Sequence, residues 1–140
     1  MENMTAMNTE PFKTDTIKKH WREEAAESLK VAWHLYEKDD YSYSLFFGHL
    51  AIEKILKALY VEKEKQHAPF THNLLRLAEK INIPLSDDQK KALIKITAYN
   101  LEARYPEFTG EFRKQCTKEY AKTELEQIEV TYKWFRSMMQ

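Results

Sequence analysis

Apolar residues return every three or four positions along most of the chain, the spacing that gathers them on one face of an α-helix. Ile17, Trp21, Ala25, Leu29, Ala32 and Tyr36 trace a first helix from Thr14, with Thr14 or Asp15 as its cap and Asp39-Asp40 as its break. A second helix is expected over about 41–65, with Leu45, Gly48, Ile52, Ile55 or Leu56, and Leu59 on its buried stripe. Gly48 costs about 1 kcal/mol of helix propensity relative to Ala. Close approach by a neighbouring helix is the expected compensation.

The stretch HAPFTHNLLRLAEKI opens a short third helix after Pro69, capped by Thr71 and carrying Leu74, Leu75, Leu77, Ala78 and Ile81. Asn82 and Pro84 stop it. SDDQKKAL then begins a fourth helix with a capping box, Ser86 three residues before Gln89, and with Asp87 and Asp88 where the helix dipole favours anions. Ala92, Leu93, Ile96, Tyr99, Asn100 and Ala103 share its inner face. Pro106 disfavours a helical Tyr105, so this helix is expected to end near Arg104 and residues 105–116 to form a loop. The last helix starts near Thr117, and Ala121, Leu125, Ile128, Tyr132, Phe135 and Met139 give it the cleanest stripe in the chain. The pattern predicts an all-α fold, a five-helix up-and-down bundle, over residues 14–140, preceded by a flexible polar tail at 1–13.

Composition agrees with helices. Two glycines and four prolines in 140 residues are too few for a turn-rich β fold, and 43% hydrophobic residues suffice for one core and one domain. Lysine plus arginine and aspartate plus glutamate both number 22. That balance argues against binding bulk duplex DNA, yet leaves room for a small nucleotide site, which needs only a few cations. It also leaves little self-repulsion to oppose association. One cysteine, Cys116, excludes an internal disulfide and a multi-cysteine metal cluster. No basic start leads into an apolar run at the N-terminus, and no apolar stretch is long enough to span a membrane. A soluble, cytoplasmic protein is expected.

The candidate chemistry is sparse. His20, His34, His49, His67 and His72 form no pair at i, i+4 and no HExxH, so neither metal nor cofactor is expected. Glu53 and Lys57 are spaced i, i+4 beside Lys54. On composition they read as a solvated helix face worth about 0.3 kcal/mol, or else as cations facing a phosphate groove. Arg104 can cap the end of helix four, where carbonyls are partly negative. Tyr99, Asn100 and Tyr105 beside it suggest a polar pocket at the bundle end.

SLFFGHLAIEKILKALYVEK, PFTHNLLRLAEKI and YNLEARYPE, in that order before a long last helix, resemble a HEPN domain (higher eukaryotes and prokaryotes nucleotide-binding). The resemblance spans roughly residues 16–138. It implies a helical bundle, a homodimer, and a role near nucleotides or RNA. Many such domains are metal-independent ribonucleases with an arginine followed, four to six residues on, by a histidine. Others lack the motif and are encoded beside a small nucleotidyltransferase, in toxin–antitoxin-like systems. No arginine here has a histidine at that spacing: FTGE follows Arg104 at 108–111. The resemblance therefore implies a binding module for a nucleotide or for a nucleotidyltransferase partner, with no catalytic residue. Glu53, Lys54, Lys57, Arg104 and Tyr105 lie in the matching stretches, next to Tyr99 and Asn100. The alternatives are a ribonuclease using a displaced histidine, His49 or His72, and a purely structural dimer.

Overall fold

The structure is a computed structural model that describes residues 11–140. Among these residues it holds six helices and no strand: α1 Thr14–Glu37, α2 Tyr41–Glu64, α3 Leu74–Lys80, α4 Asp87–Glu102, α5 Pro106–Gln115 and α6 Lys118–Ser137. Most of the tail expected at 1–13 lies outside the described residues. Among the described residues no helix is long and apolar enough to cross a membrane.

Helix α2 is the axis of the fold and packs against all five other helices. Its apolar residues surround it instead of forming one stripe, and 14 of its 24 positions are buried. A helix apolar on every side belongs inside its domain. The Ser44 hydroxyl donates to the Ala32 carbonyl at 2.7 Å, tying α2 to α1 beneath the surface. A methyl group placed on Gly48 would lie 2.7 Å from Cδ1 of Ile128, so the glycine does allow α6 to approach closely. Leu125, Ile128 and Phe135 of α6 are fully buried against this axis. Each contributes roughly 1.5–3 kcal/mol through removal of its side chain from water.

The helix ends differ from expectation at two places. Neither Thr14 nor Asp15 caps α1: Lys13 holds the cap position and makes no side-chain bond there. Asn73, not Thr71, caps α3, its side chain accepting from the Arg76 N–H, while the Thr71 hydroxyl accepts from the N–H of Asn73. The capping box of α4 forms as expected, with Ser86 and Gln89 bonded reciprocally.

The count of five helices is corrected to six. Residues 106–115, expected as loop, form α5. Pro106 ends α4 and also begins α5, because proline lacks only an N–H that the first helical position leaves unpaired anyway. Phe112 of α5 is buried and its ring lies 5.5 Å from that of Tyr99. Cys116, just beyond α5, is buried too, and loss of solvent pushes its thiol up to about 12.

Candidate functional site

One helix face carries the site. His49, Glu53 and Lys57 stand at i, i+4 and i+8 on α2, so their side chains line up along the axis. All three are buried, His49 completely. The reading of Glu53 and Lys57 as a solvated face is thus overturned. The Glu53 side chain is only 6% exposed, so its carboxylate must find partners inside the protein.

Glu53 finds them. Lys57 Nζ lies 3.2 Å from Oε2, and the Lys57 ammonium also sits 5.2 Å from the centre of the Trp21 ring on α1. His72 Nδ1 donates to Oε1 at 2.7 Å. His72 reaches in from the segment between α2 and α3, with its side chain 56% exposed. A buried carboxylate therefore fixes one nitrogen of a ring whose other edge meets solvent. The segment itself is pinned from below, since His49 Nε2 donates to the His72 carbonyl at 3.1 Å. With its Nε2 so used, the Nδ1 of His49 is buried with no hydrogen-bond partner. Burial holds the His49 ring below its ordinary protonation range, against the opposing pull of its bond to the His72 carbonyl and of the Glu53 carboxylate.

Arg104 approaches this row from the end of α4. Its Nε donates to the Asn100 carbonyl at 3.0 Å, so it does cap the helix. Its guanidinium lies 5.5 Å from the centres of both the Phe46 and Tyr105 rings. Phe46 in turn stacks on His49 at 6.4 Å. The aromatic contacts and the carbonyl orient the arginine, yet no carboxylate pairs with it among the described residues. An oriented guanidinium without a counter-ion can receive a phosphate or carboxylate.

The other candidates separate. Asn100 is buried and serves Arg104 through its backbone. Tyr105 flanks the guanidinium and is 45% exposed. Lys54 points to α1 instead, with Nζ 2.9 Å from the Ser28 hydroxyl and 3.4 Å from Glu24. Tyr99 turns toward α6, where its hydroxyl donates to Glu124 and lies 3.2 Å from that of Tyr120. The structure thus joins His72 to the His49–Glu53–Lys57 row of α2, places Arg104, held by Asn100 and Tyr105, on the Phe46 ring that stacks on His49, and leaves Lys54 and Tyr99 elsewhere. His49 was legible as part of a polar row at four-residue spacing on an otherwise apolar helix. His72 comes from a connecting segment, and no local pattern links it to Glu53. No group of three or more His, Cys, Asp or Glu side chains among the described residues is arranged to hold a metal ion.

A six-helix bundle with a buried axial helix and a His–Glu–Lys row on it is an all-helical domain of definite type. The HEPN domain model matches residues 19–138, and the chain belongs to the HEPN domain family. A solved structure of similar fold is the crystal structure of TT1696 from Thermus thermophilus, 21% identical, with a TM-score of 0.76 over 87% of this chain and 98% of that one. Among curated proteins none matches the chain.

Proposed function

We propose that this HEPN-type protein is a cytoplasmic binding module, a homodimer that takes a nucleotide phosphate at Arg104 of each subunit, and that its protein partner is a small nucleotidyltransferase of a toxin–antitoxin-like pair. The observation that carries the reading is Arg104: oriented by Asn100, Phe46 and Tyr105, and unpaired. Lys57 is spent on neutralising Glu53, so Arg104 is the cation left for a ligand. The neutral overall charge suits a small phosphate site better than a long nucleic-acid track. Titration calorimetry with nucleoside mono-, di- and triphosphates tests it. The native protein is expected to bind, and Arg104→Ala to weaken binding about tenfold or more, since charge-assisted bonds are worth about 1.5–3 kcal/mol. Equal binding by a folded Arg104→Ala protein would sink the phosphate site. Native mass spectrometry of the protein drawn from its host tests the dimer and the partner.

A second reading has its own support. The Glu53–His72 pair resembles the carboxylate–imidazole unit of general acid–base catalysis, in which the carboxylate fixes the tautomer and the free nitrogen moves a proton. Such a pair suits metal-independent cleavage of RNA by a displaced histidine. Single-stranded RNA would then be cut in the presence of a chelator, and His72→Ala would abolish cutting. Intact RNA after prolonged incubation with native protein would remove this reading.

A further inference from the structure

The corner between α4 and α5 holds a feature that the phosphate site does not use. The last turns of α4 and one side of α5 enclose a groove of about 370 Å³, with Phe112 at its base and Leu101 and Phe108 on its walls. Leu101 and Phe108 are 49% and 47% exposed, so the groove shows apolar surface to solvent. Glu102, Glu107 and Glu111 rim it, and no lysine or arginine lines it. Glu102 and Glu107 make no ion pair among the described residues, and Glu111 meets only the solvent-exposed Lys114 at 3.7 Å. Partial burial raises the Glu102 carboxyl above its ordinary range, the mark of a carboxylate short of compensation. Arg104, three residues beyond Leu101, is turned onto Phe46 of α2 and does not neutralise this rim.

We infer that the α4–α5 groove is a docking site for a basic amphipathic segment of a partner protein, seating an apolar side chain between Leu101 and Phe108 and pairing its lysines or arginines with Glu102, Glu107 and Glu111. Charge selects this occupant. Nucleic acid and anionic lipid are repelled by three carboxylates around an apolar slot. The chain's own first ten residues include Glu2 and Glu10 but no lysine or arginine, so they do not complement the rim. Apolar contact gives the affinity, and the glutamates give the preference for a cationic segment.

The test uses a fluorescein-labelled helical peptide of leucine and lysine, with the same peptide carrying glutamate for lysine as control. Fluorescence anisotropy should show saturable binding of the lysine peptide only. Glu107→Lys with Glu111→Lys, and separately Phe108→Ser, should each weaken it roughly tenfold, while Glu23→Lys with Glu27→Lys on α1 should leave it unchanged. Circular dichroism checks that each variant is folded. Equal binding of the two peptides, or equal loss in the α1 variant, would overturn the proposal as mere adhesion. A dimer that dissociates in the Glu107→Lys, Glu111→Lys variant by analytical ultracentrifugation would overturn it in favour of a second copy as the occupant. Nucleotide and peptide binding are measured on the same preparation, so the fate of the phosphate site does not decide that of the groove.

Discussion

Two polar clusters sit in this bundle, and they are finished to different degrees. Around Glu124 every group is used. The Tyr99 hydroxyl donates to the carboxylate, Lys95 pairs with it at 3.1 Å, and the Tyr120 hydroxyl lies within bonding distance of Tyr99 and of Gln115. Burial and the neighbouring carboxylate hold the Tyr99 proton on its oxygen far above the ordinary range. Around Glu53 the carboxylate is equally well held, but His49 keeps a bare nitrogen, His72 presents an edge to solvent, and Arg104 has no counter-ion. A closed network fastens α4 to α6 and has nothing left for a ligand. An open one holds its charges in place for something that arrives later.

The largest effect should come from the centre of the open cluster. Glu53→Ala strands the Lys57 ammonium in the core, and stability measured by urea unfolding is expected to fall by about 3–5 kcal/mol. A loss below about 1 kcal/mol would mean that water reaches Lys57, and the cluster would not be buried in the sense described. In the closed cluster, Tyr99→Phe deletes a hydroxyl bonded to a carboxylate. It should cost about 1.5–3 kcal/mol and leave nucleotide binding unaltered, and any loss of binding would join the two clusters functionally.

Acid should then distinguish them. His49 has its folded pKa lowered, so below the unfolded value of about 6.5 the unfolded chain takes up a proton that the folded chain refuses. Stability from this residue is complete above that value and declines as pH falls toward the folded pKa. Urea midpoints measured from about pH 7.5 down to about 5 should fall, and His49→Gln should flatten the decline. An unchanged slope would assign the acid sensitivity to other groups. The smallest structural effect belongs to Arg104→Ala, expected within about 0.5 kcal/mol of the native protein as for most surface changes, although its effect on phosphate binding is expected to be large. That divergence between stability and binding separates a poised group from a structural one.

Much of the fold can be read from helical periodicity. The stripes of α2, α4 and α6 name residues that are buried, apart from the half-buried Ala92 and Met139, and the Ser86–Gln89 capping box forms. Helix α5 escapes because Pro106 and Gly110 resemble punctuation. Its one positive signal is short: proline at the first helical position, then Phe108 and Phe112 four apart. The candidate site is less legible for a geometric reason. Glu53 and Lys57 four residues apart look alike on paper whether they face water or the core, and only the packing of α1, through Trp21, and of the 66–73 segment decides. Arg104 reads correctly as a helix cap, but Phe46, 58 residues earlier in sequence, cannot be assigned to it without the fold.

The position of α2 also bears on how the protein comes apart. Since all five other helices lean on it, its backbone amides can meet solvent only when the whole bundle opens, and deuterium should enter them last. Helix α5, with a single buried residue, can detach alone and exchange early. Arg104 lies at the joint between this loosely held helix and the body of the domain. The guanidinium proposed to meet a phosphate is thus anchored on one side, through Phe46, by the part of the molecule expected to exchange last, and on the other by one expected to exchange early.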